Sequence, residues 1–383
     1  MKWERVELGE VCDFQGGSQP PKKEWIATPQ IGYIRMLQIR DFTQGKKDHI
    51  AFVRDSGRLK KCSADDILIG RYGASIGKIL TGLEGAYNVA MIKTIPNEKK
   101  LSKDFLYYYL VSPFFQSFIN GIGTRAAQAG FNKEDIRQAQ IPLPPLSEQR
   151  RLAARLDKAD AVRQKSRALV DVYAELGRSV FLEVFGDPVR NERGWEVVEL
   201  VNHVKILGGG TPSKKNKSFY TGEIPWVSPK DMKSLFIDSS IDKITDEAIK
   251  NSSTKLIPKD SVLMVVRSGI LKKQLPVGIN ICPVTLNQDM KAFVCKEKLN
   301  PYYLLYLFLV LAPNILKSVR GTTADNISSD VLKKLQIPLP PLPLQTRFAA
   351  MVANIEAQRR LAERQLEAAE AVFGGVLQGT FEG

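Results

Sequence analysis

With 383 residues, 44% of them hydrophobic and 25% charged, the chain has the composition of two or three globular domains rather than of a disordered polymer. Its formal net charge of +14 points to a polyanionic partner, plain solubility being the alternative use of such an excess. Four cysteines without a CxxC spacing and only two histidines leave no zinc set and no disulfide framework, which fits a reducing cytoplasm.

The opening MKWERVELGE has no apolar stretch that could act as a signal sequence. WERVEL, from Trp3, is followed by a glycine-rich basic turn, GGSQPPKK, from Gly16. Short runs rich in Val, Ile and aromatics follow, such as ILIGRYG, separated by Gly, Pro, Asn and Asp, and these read as strands and turns. The aromatic run over 105–118 reads as helix, GTR at 123–125 as a turn, and IPLPPL fills 141–146. From Ser147 to Phe185 there is no proline, little glycine, and much Ala, Leu, Glu, Arg and Gln, the makings of one long helix with Ser147 as its N-cap.

The same order then returns, displaced by roughly 190 to 199 residues, which is the mark of an internal duplication. WEVVEL opens at Trp195 and GGGTPSKK at Gly208; SVLMVV takes the place of ILIGRYG, and GTT at 321–323 that of GTR. IPLPPL recurs at 337–342, before a second long helix over 343–381 with Pro343 in its first turn. The eleven-residue apolar run from Tyr302 to Ala312 falls short of the about 20 residues that span a bilayer and reads as a buried helix stopped by Pro313. Consecutive prolines make IPLPPL a stiff extended arm that cannot join the helix behind it; a proline-rich ligand for an aromatic groove is the rival reading.

Positive charge is divided between the copies. Residues 1–146 hold 21 Lys/Arg against 15 Asp/Glu and residues 187–342 hold 22 against 15, while 147–186 and 343–383 nearly balance. Two separate basic bodies suggest two contacts with a polyanion. Along the first helix an apolar stripe with a 3.5-residue step runs through Leu152, Leu156, Ala159, Arg163, Ser166, Val170, Tyr173, Gly177 and Val180. In the second it runs through Phe348, Val352, Ile355, Arg359, Ala362, Leu366, Ala369, Phe373 and Val376. A narrow stripe on so long a helix needs another helix to cover it, and the other copy is the obvious partner, the alternative being two helices each lying on its own body. Arg163 and Arg359 either fix register through an ion pair or mark where the stripe drifts to the surface, the second being slightly favoured.

In its W-E-x-V-E-L openings, GGGTPSKKNKSFYTGEIPWVSPKDM at 208–232, GT turns and IPLPPLSEQRRLAARL with IPLPPLPLQTRFAAMV, the chain resembles the specificity subunit of a type I restriction-modification system over nearly its whole length. It departs at the second helix start, Pro343-Leu344-Gln345 against Ser147-Glu148-Gln149, and in IGYIRMLQIRDF of the first half against GEIPWVSPKDM of the second. The resemblance implies an α+β chain of two tandem mixed α/β target-recognition domains, 1–146 and 187–342. Two spacer helices, 147–186 and 343–383, would pair as an antiparallel coiled coil. Each domain would read one half of a split site in double-stranded DNA. The helices would set the gap and dock two modification subunits, with restriction subunits joining the larger complex. Adenine methylation, with S-adenosylmethionine as donor, would belong to the modification partner, leaving this chain non-catalytic and without a cofactor. A helix of about 38 residues is roughly 57 Å long and caps the separation of the readers at about 17 base pairs.

Glycine-rich basic turns let backbone N–H groups and Lys side chains approach phosphates. The candidates are Gly16, Gly17, Ser18, Lys22 and Lys23, and Gly208, Gly209, Gly210, Thr211, Lys214, Lys215 and Lys217. Paired donors and acceptors suited to base edges are Gln19, Arg71 and Arg125 in the first half, and Asn216, Arg267 and Asn326 in the second. Tyr72 is a candidate wedge or stacking group. Each of these is also an ordinary turn residue.

Two other function classes compete. An adenine methyltransferase would carry an (N/D)PP(Y/F) tetrapeptide, and none is present; for a carboxylate-metal nuclease there is no Pro-Asp dipeptide. GASIGKI from Gly73 is one residue short of a P-loop between its glycines, and GIGTRA from Gly121 follows a helix rather than a strand, so both read as chance matches. A nucleic-acid-binding scaffold unrelated to restriction would show no preference between DNA sequences.

Overall fold

The computed structural model describes residues 3–44, 50–123, 130–317 and 326–382. The chain divides into two compact units, residues 1–167 with 364–383, and residues 168–363. The long helices do not stand apart as separate segments. Each unit takes in part of both, and the first helix, Leu146–Phe185, passes from one unit into the other.

In the first unit Arg5–Glu7 pairs antiparallel with Gln140–Pro142, and Val6 faces Ile141. In the second, Glu196–Glu199 pairs in the same way with Gln336–Leu339, and Val198 faces Ile337. The two phrases repeated in the sequence are therefore each other's strand partners. The expected stiff extended arm is a paired strand in its first half, with Ile141 and Ile337 fully buried, and its last prolines punctuate the helix start. Proline is tolerated there because a two-stranded ribbon is all edge.

The helices begin at Leu146 and Leu342, so Ser147 lies inside the first turn and is not the cap. The polar group that organises each start is a buried glutamine. Gln149 donates to the carbonyls of Lys100 and Pro144, both at 2.8 Å, and accepts from Ser102 N at 2.8 Å. Gln345 donates to Lys298 (3.2 Å) and Pro340 (2.7 Å) and accepts from Asn300 N at 2.8 Å. Each clamp ties a helix to the loop before the aromatic helix of its own body. Gln345→Ala is expected to cost about 2–4 kcal/mol, because three buried backbone groups lose their partner together. Urea unfolding followed by amide exchange in residues 298–317 checks this.

The first unit holds an antiparallel sheet in the order Cys12–Gly16, Met91–Pro96, Leu68–Gly70, Ile79–Leu80, and a mixed sheet in the order Phe52–Arg54, Tyr33–Leu37, Gly85–Tyr87, Lys61–Cys62. The second unit repeats this with Val204–Gly208, Met290–Cys295, Val262–Val265, Val277–Asn280 and Phe236–Ile237 in one sheet. Its other sheet is Lys243–Ile244, Ile224–Val227 and Thr285–Leu286. Aromatic helices pack beside the sheet that begins with Cys12–Gly16 or Val204–Gly208: Lys103–Val111 and Pro113–Gly123 in the first unit, Pro301–Lys317 in the second. The last helix does not stop at Pro313 as expected. Proline there leaves the Leu309 carbonyl without its helical donor, and Arg178 of the first long helix donates to that oxygen at 2.7 Å.

The long helices pack antiparallel within each unit. In the first, the Arg163 guanidinium carbon lies 4.2 Å from the Phe373 ring centroid and Arg167 pairs with Glu370, while Phe381 meets Phe105 at 5.0 Å. In the second, Phe348 meets Phe181 at 5.6 Å and Phe185 at 5.2 Å. Every stripe position is buried or half-buried: Leu156, Phe348, Val352 and Phe373 are buried, and Leu152, Val170, Tyr173, Val180, Ile355 and Leu366 half-buried. The slightly favoured drift at the two arginines is corrected. Arg163 pairs with Asp160 and Arg359 with Glu356, each at 2.5 Å and one turn back, so both charges stay within the seam. The first helix ends where Gly186 takes φ +77° and its amide closes on the Leu182 carbonyl at 2.9 Å.

Candidate nucleic-acid interface

Strand register gathers the candidate residues at one end of the sheet that holds Cys12–Gly16 in the first unit and Val204–Gly208 in the second. In the first unit Gly16 faces Ile92 and Gly70 faces Met91, so the segments beginning at Gly17 and Arg71 and the turn over 87–90 leave the sheet together. In the second, Gly208 faces Lys291 and Val265 faces Met290, which places the segments after Gly208 and Val265 beside the turn over 286–289.

At this end the glycines serve close packing. A Cβ on Gly17 would sit 2.0 Å from the Asn88 carbonyl oxygen, and one on Gly209 would sit 1.8 Å from that of Asn287. Four backbone amides of the expected phosphate cradle are spent internally. Gly17 N donates to Met91 O (3.2 Å), Ser18 N to Tyr87 O (2.9 Å), Gly209 N to Met290 O (3.4 Å) and Gly210 N to Leu286 O (2.9 Å). The Ser18 hydroxyl accepts from Lys60 N at 2.8 Å, and the Thr211 hydroxyl donates to the Gln288 side chain.

What remains open to a ligand is side-chain chemistry. Gln19, Lys22 and Lys23 are exposed, as are Lys214, Lys215, Asn216 and Lys217. Asn216, expected at a base edge, has its oxygen committed to its own turn, accepting from Ser218 N (3.2 Å) and the Ser218 hydroxyl (2.7 Å). Arg71 donates through Nε to Phe131 O (3.2 Å) and lies 5.1 Å from the centroid of Tyr72, whose ring is half exposed. Arg267 donates through Nε to Asp289 Oδ1 at 2.6 Å and forms an isolated bridge with the exposed Asn326. Arg125 and most of both GT turns lie outside the described residues.

Sequence reading missed the turn that supports each cluster. Asn88 accepts from Ala90 N at 3.2 Å and Asn287 from Asp289 N at 3.0 Å. The signal was available as YNVAM against LNQDM, an Asn-x-x-Met repeat. GASIGKI folds as a single 3-10 turn, Gly73–Ser75, between two paired strands, with no helix to carry a phosphate. Burial pushes the Cys12 and Cys295 thiols up to about 12 and Cys62 up to about 11, so none of these is a ready nucleophile. Among the described residues no group of three His, Cys, Asp or Glu could hold a metal ion, and no helix is long and apolar enough to cross a membrane.

The architecture defines a duplicated two-module protein in which each unit takes in part of both long helices and carries basic side chains at the matching end of its sheet. The family model described as the type I restriction modification DNA specificity domain matches residues 1–169 and 192–371. The chain is 33% identical over 366 residues to the EcoR124I/EcoR124II type I restriction enzyme specificity subunit of Escherichia coli, covering 93% of this chain and 87% of that protein. It is 25% identical over 414 residues to the MjaVIII specificity subunit of Methanocaldococcus jannaschii, covering 98% and 92%. Its fold is similar to that of the type I restriction-modification S subunit from M. genitalium, with TM-score 0.61 at 13% identity over 100% of this chain and 96% of that one. The chain therefore belongs to the type I restriction-modification DNA specificity family, as a specificity subunit: a DNA-recognition component and not a catalytic one. Neither rival class, a modifying enzyme or an unrelated scaffold, is favoured.

Proposed function

We propose that each module reads one half of a split DNA site through the side chains at its sheet end, and that the paired helices fix the gap. The observation that carries this is the duplication of the whole device: sheet, glycine crossing, arginine at the strand exit and glutamine clamp occur once per unit. Each copy also lies in its own basic stretch of sequence. Lys22 and Lys23, and Lys214, Lys215 and Lys217, offer charge to phosphates, while Gln19, Arg71, Arg267 and Asn326 offer polar groups to base edges, with Tyr72 as a stacking surface. Each long helix has 40 residues, about 60 Å at 1.5 Å per residue, which bounds the span a rigid spacer could set.

On this reading the complex contains two modification subunits, one for each half of the duplicated helical seam, together with restriction subunits. S-adenosylmethionine binds the modification partner, and the assembly works in the cytoplasm. Selection from fully randomised duplexes by the chain assembled with its modification partner is expected to return two short determined blocks separated by a constant undetermined gap. One contiguous block, or a gap that varies among selected duplexes, would overturn the reading. The purified chain alone, given S-adenosylmethionine and DNA, is expected to transfer no methyl group.

A further inference from the structure

We propose that Arg267 reads a guanine in the half-site of the 187–342 module, and that Asp289 is the positioning residue that presents its guanidinium. The proposal rests on the reading that this module contacts DNA, and it adds which base is read and why.

Arg267 leaves the end of strand Val262–Val265 with its main chain fixed. Val266 N and Arg267 N both donate to Asp289 O, at 2.8 and 3.2 Å, and the residue bridges to Asn326. Its Nε donates to Asp289 Oδ1 at 2.6 Å, and among the described residues its two terminal nitrogens make no hydrogen bond. The carboxylate is itself held in place. Asn287 donates to Asp289 Oδ2 at 3.2 Å and accepts from Asp289 N at 3.0 Å, and Asn287 is buried under the Gly209 crossing. The chain of support thus runs from a glycine that admits no side chain, through a buried turn, to a carboxylate and then to an arginine whose side chain is 56% exposed.

A guanidinium anchored through Nε presents its remaining edge as two parallel donors. In the major groove only guanine offers two adjacent acceptors, O6 and N7, whereas adenine sets a donor beside its acceptor. A phosphate would also fit the fork, but an arginine already neutralised by a carboxylate gains less from a bare charge than from matched geometry. The equivalent arginine differs. Arg71 faces Ala90 where Arg267 faces Asp289, and it uses Nε on Phe131 O and Nη1 on Val89 O at 3.5 Å, which leaves it an incomplete fork. The guanine preference is therefore a property of the second module.

The test is selection from randomised duplexes by the assembled complex, with salt titration of the selected duplex. Wild type is expected to select a guanine at one position of the block that residues 187–342 determine. Arg267→Ala and Arg267→Lys should each lower that preference about tenfold to a hundredfold, leaving the other block, the gap and the salt dependence unchanged. Asp289→Ala should relax the same position, and Asp289→Asn, which keeps an acceptor for Nε, should restore most of it. Three results would each overturn the proposal: a base other than guanine at the Arg267-dependent position, Asp289→Ala behaving as wild type, or Arg267→Ala weakening all duplexes alike with a shallower salt slope, as a phosphate contact would. If no block depends on residues 187–342 at all, the two-module reading itself fails, which is a separate outcome.

Discussion

Scrambling either half-site while leaving the other intact is expected to lower the affinity of the assembled complex by about a thousandfold or more. The physical basis is the division of labour between charge and shape. Residues 1–146 and 187–342 each carry an excess of basic residues, +6 and +7, and this supplies attraction to any duplex. On the proposed reading specificity comes from the few polar side chains at each sheet end, and each mismatched pair costs about 1–3 kcal/mol. The remaining binding should fall steeply with salt and depend on sequence only in the half-site left intact. Competition binding at two salt concentrations, with each half scrambled in turn, measures both effects. Full affinity after scrambling residues' 187–342 half-site would mean that the second module is not a reader.

Phe348→Ala should destabilise the second unit by about 3–5 kcal/mol. The ring is fully buried and meets Phe181 and Phe185 of the first long helix and Tyr306 of the aromatic helix, the last at 5.4 Å, all edge to face. Removing it opens a cavity where three helices meet and forfeits edge-to-face contacts worth about 0.5–1.5 kcal/mol each. The copy in the first unit has Leu152 at the matching stripe position, and that residue is only half-buried. Leu152→Ala should therefore cost less than Phe348→Ala. Amide exchange is the appropriate readout, because two units need not unfold together. Protection should fall in residues 168–185, 301–317 and 342–363 and persist in the sheets of the first unit. A loss below about 1 kcal/mol would show that the helices are passengers on the module rather than part of its core.

Much of this was legible before any coordinates. Helical periodicity survives in the sequence because each stripe side chain is buried or half-buried against another helix, so Leu156, Val352 and Phe373 announced the seam. Punctuation survives for a similar reason: the glycines at 17 and 209 sit where a Cβ would strike a carbonyl oxygen. What could not be read was pairing between distant segments. Nothing local in IPLPPL says that its isoleucine faces Val6 or Val198, because strand register is set by the partner. Residue type does not announce the burial of Gln149 and Gln345, which follows from the loops that close over them. Pro313 looked like a helix stop, since its rescue by Arg178 comes from 135 residues earlier in the chain. Within the candidate interface, residue type alone did not separate Asn216, whose oxygen caps its own turn, from Arg267, whose terminal nitrogens make no hydrogen bond among the described residues.

The central claim is that the two modules read independently, each at its own end of a fixed spacer. Its most direct test is methylation sequencing of cells in which residues 187–342 have been exchanged for the corresponding module of a relative, with both long helices kept intact. The expected result is a methylated site that changes in one half only, the other half and the gap being the same as before. A site altered in both halves, or not altered at all, would contradict the account.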